Sequence, residues 1–443
     1  MDEIALRALL ERAVEEEPPM GLLVSESLHA GKKLARRRRI EAAIGAVAAV
    51  ALLAVVVSAA FAALRPGSRH RPAAPADAGI TAFVWTTANA VTPIRLSTGT
   101  AFGRLHVPGQ ITNMASAPGG TDVYVFSFTA TRCYVTRLDG STGTASRPVR
   151  LAGCLYEEEV GIASGSSTAV GFGNWPVGSR NSAALIAANL TTGAERKLLT
   201  ETGFMQPGAG TLTVLGHTAY TFTNDRVVAV NIITGRAGPL IRIQHGYPVN
   251  IAVEPGGTTA YVTSSPFGQP GKRTPIWITP INFSSGMAGT PIQVLVDRTA
   301  PWDYKIALSA DGKTAYLYGG KTVIPVDLTT SQVLKPISVE VGNYIPTLAI
   351  SPSDLTAYVS WWSRWLQPIN MLTNTPDREL QLPGGYSESG PAAFSLNGDV
   401  LYVPAAFRGG TAVDAIIPVD TSTQATGRAI RVVGRPVQVV VIP

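Results

Sequence analysis

A short pattern recurs about every 42 to 51 residues between residue 80 and the end of this chain of 443 residues. Each copy contains a polar turn that resembles D-x-x-T-G, placed between two strands of alternating apolar residues, and a later strand that resembles A-Y-V. Repeats of this length are typical of propellers and solenoids, in which each unit buries its apolar faces against its neighbours. The turn occurs eight times, beginning at Arg95, Leu138, Asn189, Asn231, Asn282, Asp327, Asn370 and Asp420.

Four short strands fit into each copy. In the copy around residue 327, "TVIPVDL" (322–328) and "VLKPISVEV" (333–341) flank the polar turn, and "TLAIS" (347–351) and "TAYVS" (356–360) follow it. Four antiparallel strands per unit are the layout of a β-propeller blade. The strand rich in small residues suits the crowded position next to the propeller axis, so we name it strand a and the strands outward from it b, c and d.

The two ends of the repeat region predict how the ring closes. The last copy supplies strands c and d and then "VQVVVI" (437–442), a strand a with no strand b after it, whereas the first copy begins with the b-type strand "ITAFVW" (80–85). Pairing these two strands completes one blade from both ends and leaves no open sheet edge. The sequence therefore predicts an all-β propeller of eight blades, with seven as the alternative if the units near residues 133 and 183 are misassigned.

The repeats resemble those of the YVTN-type β-propeller family, which includes lactonase-like and surface-layer-like propellers. The resemblance covers about residues 80–443 and is clearest in "IAVEPGGTTAYV" (251–262) and "LAISPSDLTAYV" (348–359). The chain departs from the family's Y-V-x-N element, because "AYVTSS", "AYVSWW" and "LYVPAA" lack the Asn. The resemblance implies the propeller fold and does not specify an activity.

An apolar run of membrane-spanning length, residues 42–64, precedes the repeats. Six basic residues stand before it and three after it, which predicts a cytoplasmic N-terminus. We therefore expect a single-pass cell membrane protein with a cytoplasmic segment (1–39), a transmembrane helix (40–64), a linker (65–78) and an extracytoplasmic propeller (79–443). The alternative is a cleaved signal peptide with its cleavage site among the small residues 58–63.

The charge distribution argues against a nucleic-acid partner. The formal net charge is +6, and the basic residues beyond the N-terminal segment are spread along the chain without a basic run. Residues 2–17 place Leu6, Leu9 and Leu10 on one face of a predicted helix, which could bind a cytoplasmic partner. A free, marginally stable helix is the alternative because the segment is short.

The two cysteines, Cys133 and Cys154, both lie in the predicted extracytoplasmic part, where disulfides persist. Cys133 opens a strand c and Cys154 follows the neighbouring strand d. Adjacent antiparallel strands lie about 4.8 Å apart, within the range that a disulfide spans. We therefore predict a Cys133–Cys154 disulfide.

The connections from d to a and from b to c share one face of a propeller, here called the upper face, and the a-to-b and c-to-d turns form the lower face. Aromatic and charged residues concentrate in the predicted upper connections, which include "CLYEEEV" (154–160) and "LPGGYSES" (382–389), so we predict a ligand-binding set. Packing of the tryptophans between blades is the alternative. Glu157–Glu159 are assigned to one of these connections as cation ligands or charge partners, and the alternative is that they only solvate the loop. The predicted ligand-binding residues are Trp302, Trp361, Trp362, Arg364 and Trp365.

No catalytic, metal or cofactor pattern is visible in the sequence. Asp139, Asp327 and Asp420 end strands c and are expected to cap the turns that follow. The sequence favours a scaffolding or binding module, without chemistry, for an envelope protein or glycan. The alternative is a lactonase-like hydrolase, which the family resemblance allows.

Overall fold

The computed structural model describes residues 80–174, 183–200, 212–223, 225–266, 274–296, 304–339, 347–353, 356–360, 362–408 and 413–443. These residues form eight antiparallel sheets, each with four strand positions, arranged as the blades of one propeller. Six sheets contain a fifth segment because one strand position is divided in two. The described residues thus confirm eight blades rather than seven.

The strands of each blade follow the predicted order from the axis outward. Blade 1 contains β1 (Ala82–Thr86), β2 (Ala90–Arg95), β3 (Thr100–Ala101), β4 (Leu105–His106) and the last strand of the chain, β38 (Pro436–Val441). Blade 2 contains β5 (Gln110–Ser116), β6 (Val123–Thr129), β7 (Arg132–Asp139), β8 (Thr144–Ala145) and β9 (Val149–Leu151). Blade 3 contains β10 (Leu155–Ile162), β11 (Thr168–Asn174), β12 (Ala183–Asn189) and β13 (Glu195–Thr200). Blade 4 contains β14 (Leu212–Leu215), β15 (Thr218–Thr223), β16 (Arg226–Asn231) and β17 (Ile241–Arg242).

The second half of the ring repeats this arrangement. Blade 5 contains β18 (Tyr247–Val253), β19 (Thr259–Ser265), β20 (Thr274–Asn282), β21 (Met287–Ala288) and β22 (Ile292–Val296). Blade 6 contains β23 (Lys305–Leu308), β24 (Thr314–Gly319), β25 (Thr322–Asp327), β26 (Gln332–Val333) and β27 (Ile337–Ser338). Blade 7 contains β28 (Thr347–Ile350), β29 (Thr356–Ser360), β30 (Trp365–Asn370), β31 (Thr375–Pro376) and β32 (Leu380–Gln381). Blade 8 contains β33 (Tyr386–Glu388), β34 (Ala393–Phe394), β35 (Val400–Phe407), β36 (Ala415–Asp420) and β37 (Ile430–Arg431).

The ring closes as the two chain ends predict. Strand β38 pairs antiparallel with β1, with Val439 opposite Val84 and Val441 opposite Ala82. Gln438 also bridges to blade 2: its side-chain oxygen accepts the Met114 N–H at 3.1 Å, and its side-chain nitrogen donates to the Met114 carbonyl at 3.0 Å. The side-chain amide of Gln438 thus pairs with the Met114 backbone as a neighbouring strand would, and it joins the closing strand to blade 2.

The hydrophobic core is divided into layers between adjacent blades. Along β35, Leu401 and Val403 belong to the layer shared with blade 7, whereas Tyr402 belongs to the layer shared with blade 1. This is the two-residue period of a strand that is buried on both faces. The alternating apolar residues of the repeats therefore produce the stacking of blades.

Asx residues cap the c-to-d turns on the lower face, as expected. The Asp327 carboxylate accepts the N–H groups of Thr329 and Thr330 at 2.8 and 3.0 Å. The hydroxyl of Thr329 also donates to it and, with these bonds, lowers the pKa of Asp327 to about 2. Asp139 and Asp420 make equivalent pairs of bonds to the following turns. These carboxylates fix the turn between strands c and d.

The disulfide prediction is confirmed. Cys133 and Cys154 are bonded, with a Cα–Cα separation of 5.3 Å. Cys133 lies opposite Leu151 in the pairing of β7 with β9, three residues before Cys154. The bond joins the outer part of blade 2 to the start of blade 3.

Several predictions fall outside the described residues. These include the cytoplasmic segment, the transmembrane helix at 40–64 and the linker, together with Trp302 and Trp361. Within the part of the chain that the structure describes, no helix is long and apolar enough to cross a membrane.

Candidate functional site

Trp362 is an exposed aromatic residue on the upper face, in the turn that connects β29 to β30. Its relative exposure is 51%, and its backbone has a φ of 58°. A bulky residue in the left-handed region costs about 1 to 3 kcal/mol and persists only when its surroundings hold it there. The conformation of Trp362 therefore requires specific contacts.

The buried carboxylate of Glu388 supplies the main contact. Glu388 lies at the end of β33 in blade 8, is 2% exposed, and accepts the Trp362 N–H at 2.8 Å through Oε2. Its other oxygen accepts the Ser360 hydroxyl. The Ser360 and Thr347 hydroxyl oxygens lie 2.6 Å apart, which extends a polar chain towards β28. The Glu388 N–H donates to the Ser363 carbonyl at 2.8 Å, so backbone and side chain hold the same turn.

Burial raises the pKa of Glu388 to about 7, although the hydrogen bonds from Ser360 and the Trp362 N–H act in the opposite direction. A protonated Glu388 can donate to the Ser360 oxygen while Ser360 donates to Thr347, because either hydroxyl of that pair can be the donor. The Trp362 N–H then keeps its acceptor. The polar chain can thus accommodate both charge states of this acid.

Two arginines complete the site. Arg435 places its guanidinium carbon 5.4 Å from the centre of the Trp362 ring, which is a cation–π contact. Arg408 donates to the Trp362 carbonyl at 3.4 Å. Arg364, two residues after Trp362, lies 5.5 Å from the Trp365 ring centre. We call Trp362, Glu388, Arg408 and Arg435 the Trp362 site.

The Trp362 site is assembled at the seam where blades 7, 8 and 1 meet. Arg435 precedes the closing strand, and its carbonyl accepts the Thr87 N–H of blade 1 at 2.8 Å. The Ser389 hydroxyl of blade 8 donates to the Pro436 carbonyl at 2.6 Å. Closure of the ring therefore sets the position of Arg435 over the indole.

The structure places some predicted residues in this site and leaves others elsewhere. Trp362 and Arg364 share the turn between β29 and β30. Trp365 begins β30 and is partly buried against the apolar layer between blades 6 and 7, so its position agrees with the packing alternative. Ligand binding by these residues stays a prediction.

Sequence reasoning did not identify Glu388, Arg408 and Arg435. The segment "YSES" is predicted to belong to an exposed connection, but Tyr386–Glu388 is a strand that pairs with β35. "CLYEEEV" is likewise expected to be a connection, whereas Leu155–Ile162 is a strand with an irregular register. The one available signal for Glu388 was a charged residue between small residues, in the first segment of the divided strand a of blade 8.

A concave region lies at the axis, away from the Trp362 site, between the inner strands of blades 1 to 4. It has a volume of about 530 Å³, and its lining includes Asn113, Ser116, Thr213 and Gln438. None of the described residues that line it is charged. Among the described residues there is also no group of three His, Cys, Asp or Glu side chains that could hold a metal ion.

Solved structures share the fold at low sequence identity. Dihydro-heme d1 dehydrogenase NirN, in complex with DHE, aligns with a TM-score of 0.59 and 12% identity, covering 84% of this chain and 77% of that one. Apo AztD from Citrobacter koseri gives a TM-score of 0.54 and 14% identity, covering 82% of this chain and 97% of that one. No protein-family model matches the sequence, and a search of curated proteins gives no match either. Similarity at this level establishes the propeller fold, which hosts many functions.

Proposed function

We propose that this chain is a membrane-anchored, extracytoplasmic binding module that recognises a glycan of the cell envelope through the Trp362 site. The observation that carries the proposal is the exposed indole of Trp362, which a buried acid holds in a strained backbone conformation. Strain that the surroundings maintain at an exposed position is characteristic of binding and catalytic sites.

An exposed indole on a held backbone suits the recognition of a sugar ring. The face of an aromatic ring is electron-rich, and the C–H groups on one side of a pyranose carry partial positive charge, so the two surfaces stack. Arg435 covers one face of the indole, which leaves the exposed surface on its remaining face and edge. Because Glu388 and Arg408 hold the Trp362 backbone before the ligand arrives, binding orders less of the site.

Replacement of Trp362 tests the glycan-binding proposal. We expect Trp362→Ala to weaken glycan binding by about 30-fold, because an aromatic hot-spot residue typically contributes at least about 2 kcal/mol. The measurement is a glycan array followed by titration calorimetry with the full-length protein in a mild non-ionic detergent. Leu372→Ala is the control, since Leu372 is exposed but lies in a c-to-d turn on the lower face. Unchanged affinity in Trp362→Ala would contradict the proposal.

Membrane topology has its own test. The six-against-three distribution of basic residues around residues 42–64 favours a cytoplasmic N-terminus. Protease added to intact cells should then remove the propeller while residues 1–39 stay protected. Degradation of the propeller only after lysis would show that the proposed orientation is wrong.

A further inference from the structure

The Trp362 site carries more positive charge than its own acid can neutralise. Among the described residues, neither Arg408 nor Arg435 forms a salt bridge with a carboxylate, although four such bridges occur elsewhere on the molecule. Arg435 contacts the indole and Arg408 contacts a backbone carbonyl, so each guanidinium keeps donor groups for a further partner.

The acids near the site do not supply that partner. Glu388 accepts hydrogen bonds from Ser360 and from the Trp362 backbone, and it is buried beneath the turn. Its raised pKa reduces its negative charge near neutral pH. Asp414, immediately before β36, accepts the Phe407 N–H at 2.9 Å. The upper face at this seam is therefore aromatic and cationic.

Aromatic surface and guanidinium groups together define a class of ligand. A guanidinium binds a carboxylate through two parallel hydrogen bonds, and these charge-assisted bonds are stronger than bonds between neutral groups. A chain of sugars that carry ring carboxylates can stack one ring on the open face of Trp362. The carboxylates of that sugar and of its neighbours can then reach Arg408 and, around the edge of the indole, Arg435. A neutral sugar would leave both guanidinium groups without an anionic partner.

We propose that the Trp362 site binds an acidic polysaccharide built from uronic acids, with Trp362 stacking on a sugar ring and Arg408 and Arg435 binding its carboxylates. This inference rests on the glycan-binding function proposed above and names the class of glycan. An acidic protein segment is the competing ligand, because it offers carboxylates without a pyranose ring for the indole.

The test compares matched charged and neutral glycans. Full-length protein in detergent, at about physiological ionic strength, is titrated with polygalacturonate, alginate and hyaluronan, and with the carboxyl-reduced form of each. We expect at least one acidic glycan to bind about tenfold or more tightly than its reduced form. The double variant Arg408→Gln/Arg435→Gln should lose that difference, so that it binds each acidic glycan no more tightly than the reduced form. Arg236→Gln, at an exposed lower-face turn, is the control for non-specific charge effects and should behave as the wild type.

Each outcome separates the two proposals. Equal affinity for acidic and reduced glycans would overturn the inference and leave the glycan-binding function standing. Absence of binding to all six glycans would overturn the inference, and absence of any ligand on the glycan array would overturn both proposals. Tighter binding of poly-L-glutamate than of every glycan, unaffected by Trp362→Ala, would replace the glycan with an acidic protein.

Discussion

A chain that ends at Arg435 is expected to lose the cooperative unfolding of the propeller. Deletion of residues 436–443 removes β38, the inner strand of blade 1, and uncovers the inner edge of β1. Val439 and Ile442 are 5% and 2% exposed, and burial of two such side chains contributes about 3 to 6 kcal/mol. Domains have a typical net stability of about 5 to 15 kcal/mol, so this loss, added to the lost pairing and the Gln438 bridge, should leave no folded ring.

Circular dichroism and urea denaturation of the full-length and truncated chains would measure this effect. The matched control removes only Pro443, which is exposed and lies beyond the last strand. The control should unfold at the urea concentration of the intact chain, whereas the truncated chain should show a broad transition and bind hydrophobic dyes. A truncated chain with the midpoint of the intact chain would show that β38 does not close the ring.

The fold was predictable from the sequence because the blades repeat the same signals. Each blade repeats the same two-residue alternation of apolar side chains, and in the described residues six c-to-d turns have an Asp or Asn that accepts N–H groups two and three residues later. Because these signals are local and recur along the chain, the strands of a repeat with a weak pattern can be assigned from the repeats beside it. The unmatched strands at the two ends then indicate closure.

The Trp362 site was only partly predictable because it depends on contacts between distant segments. Trp362 and Arg364 are visible as an aromatic and basic turn, but the left-handed conformation of Trp362 depends on Glu388, 26 residues further along the chain. Arg435 reaches the indole only after β38 has joined blade 1. A single Glu between small residues in "YSES" does not indicate which turn it will hold, so its role required the tertiary structure.

Burial of Glu388 gives the protein a stability that depends on pH in a defined direction. Its pKa rises from 4.5 to about 7 on folding, so the native state binds more protons than the unfolded state between these two values. Stability contributed by this group is therefore fully present below about pH 4.5, is lost as the pH rises towards 7, and stays absent above it. This shift in the pKa of Glu388 corresponds to about 3 kcal/mol of folding stability, since one pKa unit is worth about 1.4 kcal/mol.

Glu388→Gln should remove this dependence and keep the hydrogen bonds of the protonated acid. The Gln oxygen can accept the Trp362 N–H, and its nitrogen can donate to the Ser360 hydroxyl. In urea denaturation we expect the variant to be more stable than the wild type by about 3 kcal/mol at pH 8.5 and nearly equal to it at pH 4.5. Glu379→Gln, at a partly exposed position in the outer part of blade 7, is the control for loss of a carboxylate away from the site. If the stability difference between Glu388→Gln and the wild type does not change with pH, Glu388 does not take up a proton on folding. The Trp362 turn would then be held by a carboxylate that stays charged across this range.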